Sequence, residues 1–225
     1  MTWVKICGMT NLEDALSAVD AGADALGFVF YEKSPRKISV DAAREIVKKL
    51  PDSVEKVGVF VGQSVEQVNS ISERAALSAA QVYPCDGEGP GSLTDFAEHV
   101  GRRLFVALPG QRITSEDGFG FFCSGEFLRR TSAVFLDSGD SYRPGGTGKA
   151  FDWEIASEPV KHMSKAVPIV IAGGLTAENV AEAIGILKPW GVDVASGVEA
   201  RPGKKDPEKV RAFVKAVRDA DRKTS

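Results

Sequence analysis

The sequence predicts an α/β fold, a (β/α)8 TIM barrel. Short apolar, β-branched runs alternate with longer amphipathic stretches from one end of the chain to the other. The runs begin roughly 20–35 residues apart, the length of one strand–helix unit. No hairpin signal separates neighbouring runs, which leaves a parallel sheet. The same alternation also permits an open, doubly wound sheet; eight units favour closure. A chain of 225 residues without a composition break fits one barrel domain over residues 1–225.

The first strand is expected over Trp3–Ile6, and Asn11-Leu12-Glu13-Asp14 opens the helix after it, with Leu12, Ala15, Leu16 and Val19 as its apolar stripe. Ala25–Phe30 forms the second strand, and Val40-Asp41 opens a helix that turns Ala42, Ile46, Val47 and Leu50 inward. Lys56–Val61 is the third strand. Ser64-Val65-Glu66-Gln67 then has the form of a capping box, with Val68 and Ile71 behind it. Strands four and five fall at Ala79–Val82 and Leu104–Ala107. The fifth unit carries the weakest helical pattern: Gly110–Gly125 is rich in glycine and polar residues, and only Glu126–Arg130 reads as helix. Strands six, seven and eight follow at Ala133–Leu136, Pro168–Ile171 and Val192–Ala195. Thr176-Ala177-Glu178-Asn179 starts a helix carrying Val180, Ala183, Ile184 and Leu187. The last helix, from about Asp206, carries Val210, Phe213, Val214 and Val217.

A net charge of −3 gives no global attraction to nucleic acid or to an anionic membrane. The 43% hydrophobic content supplies a substantial core, yet no apolar run approaches the roughly 20 residues that cross a bilayer. The N-terminus turns polar too early for a signal peptide. Cys7, Cys85 and Cys123 are odd in number and scattered, suggesting neither a disulfide framework nor a zinc site. These features point to a cytoplasmic protein with no nucleic-acid or membrane partner; they do not reach its oligomeric state.

In a barrel of this kind, chemistry sits where strands end and loops begin. Cys7 follows the first strand beside Gly8, and a thiol there can accept a proton if its pKa is lowered. For an arbitrary cysteine, a small buried apolar residue is the commoner role. Lys5 points away from Ile6 and is a source of positive potential, but alternation does not say which face it takes. Asp137 ends the sixth strand after Ala133-Val134-Phe135-Leu136, where partial desolvation would raise its pKa and fit it to donate a proton; a helix-cap or loop role is equally open. Arg36, in Lys33-Ser34-Pro35-Arg36-Lys37, has a fork suited to carboxylate or phosphate, although a solvated basic loop has the same composition.

Three glycine-rich stretches occupy the final third: Gly145-Gly146-Thr147-Gly148-Lys149, Ala172-Gly173-Gly174 and Ala195-Ser196-Gly197. The latter two follow strands seven and eight, where barrels frequently bind phosphate through backbone N–H groups. The first is no Walker loop, because Arg143 and Ala150 stand where that motif needs glycine and a hydroxyl residue. It lies in a long stretch, from Ser138 to Phe151, that suits a lid. His99 and His162 fall in helical patterns away from the strand ends, where packing or surface roles are expected.

These motifs together resemble the phosphoribosylanthranilate isomerase family. The resemblance begins with Val4-Lys5-Ile6-Cys7-Gly8-Met9-Thr10, the run from Gly22 to Phe30, and Lys33-Ser34-Pro35-Arg36. It continues through Gly58-Val59-Phe60-Val61, Phe135-Leu136-Asp137, the run from Gly145 to Trp153, and Ala172-Gly173-Gly174-Leu175. The run from Asp193 to Glu199 and Gly203-Lys204-Lys205-Asp206 complete it. The resemblance implies an Amadori rearrangement of N-(5-phosphoribosyl)anthranilate in tryptophan biosynthesis, with Cys7 as general base and Asp137 as general acid. It further implies that Arg36 pairs with the anthranilate carboxylate and that Gly173, Gly174, Ser196 and Gly197 hold the phosphate. Gly146 and Gly148 join the substrate-binding positions. The implied partner is a phosphorylated small molecule, with no cofactor and no metal.

One stretch departs from the family. Gln81-Val82-Tyr83-Pro84-Cys85-Asp86-Gly87 stands where the family usually reads Gln-Leu-His-Gly. Two rival readings remain. A related isomerase of a histidine-pathway aminoaldose would carry aspartate where Cys7 stands, although dual specificity stays open. A non-catalytic phosphate-binding barrel would have no need to keep both Cys7 and Asp137.

Overall fold

The eight apolar runs form eight parallel strands: β1 (Trp3–Cys7), β2 (Ala25–Val29), β3 (Glu55–Val61), β4 (Ala79–Tyr83), β5 (Arg103–Pro109), β6 (Ala133–Asp137), β7 (Ile169–Ile171) and β8 (Gly191–Val194). They pair in chain order, and β8 returns to pair with β1, so the sheet is a closed barrel and the open alternative falls away. The computed structural model describes residues 1–83, 93–114, 126–138 and 151–224.

The helices outside the barrel are α1 (Leu12–Asp20), α2 (Val40–Val47), α3 (Val65–Arg74), α4 (Leu93–His99), α5 (Trp153–Met163), α6 (Val180–Leu187) and α7 (Pro207–Thr224). Their starts follow capping chemistry. The side chains of Asn11, Ser39 and Asp152 accept from backbone N–H groups in the first turns of α1, α2 and α5, and Ser64 with Gln67 closes a full capping box at α3. The helix expected from Thr176 begins later, at Val180. Asn179 explains the delay: its amide donates to the Gly174 carbonyl and accepts from Thr176 N–H, tying this segment back to the loop after β7.

Two further elements differ from the sequence reading. Glu126–Arg130 is a 3-10 turn rather than an α-helix, and a second such turn spans Gly110–Thr114. A short antiparallel pair, β9 (Glu199–Arg201) with β10 (Lys204–Lys205), stands where no hairpin was expected. These strands are too short for period-two alternation to register. Gly203, at φ +80°, makes the turn between them.

Two apolar layers result. Val4, Ile6, Leu26, Phe28, Val106 and Leu136 face the helices, where Val210, Phe213 and Val217 of α7 are also buried. The opposite faces fill the barrel interior with Ala25, Val57, Ala79, Phe105, Ala107, Ala133, Phe135 and Val170. Trp3 closes the lower end, its ring 6.0 Å from Phe105 and 6.2 Å from Phe135, both edge-on. With the lower barrel filled, the open space lies at the C-terminal ends of the strands.

Candidate active site

A cavity of about 520 Å³ opens at that end, within the range of small-ligand sites. Its lining includes Cys7, the last residue of β1, and Asp137, the last residue of β6. Arg36, Gly173, Gly174 and Ser196 line it too. The structure therefore brings together most of the residues singled out in the sequence. Gly197 lies behind Leu175, whose carbonyl a Cβ at position 197 would strike, and it is not among the lining residues. Gly146 and Gly148 lie outside the described residues.

Cys7 is 7% exposed, and burial pushes its thiol above the ordinary range. Desolvation outweighs the opposing pull of the Lys5 ammonium. Lys5 faces the barrel interior and is fully buried, which alternation alone left open. Its ammonium donates to Asp193 Oδ1 at 2.9 Å, and its charge pulls the Cys7 thiol downward against burial. The β1–β8 register sets Lys5 directly beside Asp193. Burial pulls the ammonium's pKa down, but Asp193 and Cys7 together hold it above the ordinary lysine value.

Gly27 on β2 pairs with Cys7 across the sheet. A Cβ there would lie 2.6 Å from Cys7 Sγ and 3.1 Å from Lys5 Nζ, so only glycine leaves room for both groups. Gly27 lies within the stretch quoted for the family resemblance, yet nothing local in the sequence tied it to the thiol.

Asp137 is 6% exposed, and Tyr83 donates its hydroxyl to Asp137 Oδ2 at 2.8 Å. Burial, together with the neighbouring carboxylate, pushes the Tyr83 phenol well above its usual value, so it stays a protonated donor near neutral pH. The departure at position 83 thus falls inside the cavity, against the expected acid. Pro84 and Cys85 lie outside the described residues. Tyr83→Phe removes only the hydroxyl. It is expected to lower kcat about tenfold with the fold intact, because a carboxyl group freed to rotate spends less time aligned. Steady-state kinetics checks this, and an unchanged kcat would show that the hydroxyl holds nothing the reaction uses.

Arg36 reaches the cavity from the loop after β2, but its fork is already engaged. Nε and Nη2 donate to the two Glu199 oxygens, each at 2.8 Å. Among the described residues Nη1 has no partner, so this nitrogen is what Arg36 offers a ligand. Glu199 also accepts from the Lys205 ammonium at 3.1 Å and from Gly203 N–H at 3.2 Å. Burial alone would raise the Glu199 pKa; the Arg36 hydrogen bonds and the Lys205 charge instead hold it below the usual carboxylate value. The β9–β10 pair that sequence patterning missed is therefore the mount that aims Arg36.

On the side of β7 and β8 the cavity is walled by glycine backbone. Gly173 and Gly174 have φ of +78° and +67°, a left-handed pair available at little cost only to glycine. A Cβ at position 173 would also collide with Ser138. Ser196 begins the short 3-10 turn Ser196–Val198 directly after β8. The two segments meet at the cavity rim, on the side where barrels commonly hold phosphate.

Sequence reasoning assigned no role to Asp193, Glu199, Lys205 or Gly27. The available signal was a charged residue inside an apolar strand, as with Asp193 between Val192 and Val194. His99 is largely exposed on α4, and His162 sits on α5; neither lines the cavity.

Comparison with known proteins gives a consistent result. The family described as N-(5'phosphoribosyl)anthranilate (PRA) isomerase matches residues 4–101 and 111–216. The N-(5'-phosphoribosyl)anthranilate isomerase of Geotalea uraniireducens (strain Rf4) is 44% identical, with 97% of this chain and 99% of that protein aligned. The crystal structure of phosphoribosyl anthranilate isomerase from Thermotoga maritima superposes with a TM-score of 0.82 at 36% identity, covering 97% of this chain and 100% of that one. A phosphoribosyl anthranilate isomerase solved in complex with reduced 1-(o-carboxyphenylamino)-1-deoxyribulose 5-phosphate superposes with a TM-score of 0.78 at 36% identity, with the same coverage.

Proposed function

Since the chain belongs to the phosphoribosylanthranilate isomerase family, an aldose–ketose isomerase family of tryptophan biosynthesis, we propose how its own residues perform that reaction. The protein converts N-(5-phosphoribosyl)anthranilate to 1-(2-carboxyphenylamino)-1-deoxyribulose 5-phosphate. One observation carries the residue assignment: Cys7 and Asp137 end two strands of the same barrel and line the same cavity as the glycine cradle. In this reading residues 1–225 form one barrel domain, and the enzyme works in the cytoplasm on a phosphorylated small molecule. No helix among the described residues is long and apolar enough to cross a membrane.

The phosphate lies against Gly173, Gly174 and Ser196, where backbone N–H groups meet its charge. The anthranilate carboxylate takes Nη1 of Arg36, whose other edge Glu199 holds. Asp137, carrying a proton, gives it to the furanose ring oxygen. The bond from C1 to that oxygen breaks, the oxygen becomes a hydroxyl, and the nitrogen lone pair forms an iminium ion. The cation acidifies the proton on C2, and the Cys7 thiolate removes it, leaving an enolamine. The enol proton is then lost as C1 gains one, giving the ketone. General acid and base each contribute about 10²–10⁴-fold in such steps.

The direct test follows the fluorescence of N-(5-phosphoribosyl)anthranilate, generated in the cuvette, after purified protein is added. Fluorescence is expected to disappear with saturating kinetics, and its persistence at high protein concentration would favour a ligand-binding barrel instead. The histidine-pathway aminoaldose, assayed in parallel, decides dual specificity. Arg36→Ala is expected to raise KM about tenfold or more, the worth of a charge-assisted hydrogen bond, while kcat changes much less. An unchanged KM would remove Arg36 from carboxylate recognition.

A further inference from the structure

We propose that Lys5 and Asp193 form a buried positioning pair for Cys7, with Lys5, anchored by Asp193, supplying the positive charge against which the sulfur becomes a thiolate. The inference rests on the reading of Cys7 as the base and goes one step below it, to the groups that let a buried thiol act as one.

The geometry is specific. Lys5 is fully buried, its Nζ 2.9 Å from Asp193 Oδ1, and a Cβ added at Gly27 would lie 3.1 Å from that nitrogen and 2.6 Å from Cys7 Sγ, so the two groups share one space. The Phe135 ring lies 5.3 Å from the same nitrogen, and the bare Cα of Gly27 leaves room for both Nζ and Sγ. Lys5 occupies the layer between the apolar plug and the cavity. Asp193 reaches the cavity wall, whereas Lys5 is not among the lining residues. Lys5 is thus placed to act on the thiol from below.

Stability does not explain the pair. Two charges lodged directly above the apolar layer of the barrel interior carry a large desolvation penalty, and well-packed apolar residues of similar volume would serve the fold as well or better. The strand's interior residue below Lys5, Trp3, is an apolar plug, so packing there has no need of an ammonium. A buried thiol does need one, since a thiolate without a neighbouring cation is costly in a low-dielectric site.

The other charged and titratable groups around Cys7 do not take this part. Arg36 and Lys205 act on the sulfur only at a distance, and both are committed to Glu199; Lys205 also donates to the Ala195 carbonyl at 2.9 Å. Burial lowers the Lys205 pKa, which weakens it further as a fixed charge. Tyr83 stays neutral near neutral pH and is turned to Asp137. Asp193 itself opposes the thiolate, so its contribution is to keep Lys5 charged and aimed.

The test is the pH dependence of Cys7 alkylation by iodoacetamide, with the Cys7 peptide quantified by mass spectrometry. It is run on the wild type, Lys5→Met and the double variant Lys5→Met/Asp193→Asn. The double variant leaves no lone carboxylate in the barrel, so it keeps the test alive if the single variant folds poorly. In Lys5→Met the midpoint is expected to move up by about 1–3 pH units, the effect of losing an adjacent opposite charge; in the double variant the rise is smaller, because the opposing Asp193 charge is lost as well. Each unit cuts the thiolate present at neutral pH about tenfold, and kcat should fall with it. An unchanged midpoint in folded Lys5→Met overturns the proposal, and where only the double variant folds, the absence of any rise there does so. A raised midpoint with undiminished kcat supports the pairing and removes Cys7 from the reaction, so the two failures are told apart.

Discussion

Cys7→Ala is expected to lower kcat by at least about 10²-fold, at the low end of what a positioned base contributes. The loss should fall on kcat and kcat/KM together, because proton removal from C2 belongs to the transition state rather than to binding. The fold should survive. Alanine fills most of the space of a buried thiol, and the Lys5–Asp193 pair beneath it remains intact. Gly27 leaves the region open, so no new contact is forced. Steady-state kinetics with a far-UV circular dichroism spectrum checks both halves. Turnover within a few-fold of wild type would withdraw Cys7 as the base.

Asp137→Asn is the matching experiment for the acid, with an expected loss of the same order, at least about 10²-fold in kcat. Asparagine keeps the size of the side chain and an oxygen to accept the Tyr83 hydroxyl, so the cavity wall should hold its shape. What it lacks is a transferable acidic proton, and the furanose ring then opens without help. An aminoaldose analogue already in the open-chain imine form would bypass that step. On such an analogue the Asp137→Asn defect should shrink markedly, while the Cys7→Ala defect should remain. Equal defects on both substrates would show that Asp137 acts elsewhere than at ring opening.

The two groups proposed to react, Cys7 and Asp137, were legible as positions for a simple reason. Each stands where an apolar strand gives way to a loop, and in parallel barrels those ends share one mouth. The glycine pair after β7 was legible on the same logic. Arg36 was legible as a cation on a loop but not in its constraint: its counter-ion Glu199 is 163 positions away, on a hairpin too short to leave a pattern. Tyr83 stood out only as a departure, since its contact with Asp137 crosses from β4 to β6. The helix start at Val180 was misplaced because Asn179 spends its side chain on the preceding loop, a choice propensity does not record.

By itself the sequence determined the order of the eight barrel strands, most of the helices between them, the residues at the strand ends and the family. All of these follow from local periodicity, caps and short motifs. Only the tertiary structure decided that the sheet closes, that Lys5 faces inward, and that its partner is Asp193, 188 positions along the chain. The physical reason lies in the closing pair of strands. An open sheet and a closed one use the same alternation within each unit, and only the register between β1 and β8 brings the first and last strands' interior residues side by side.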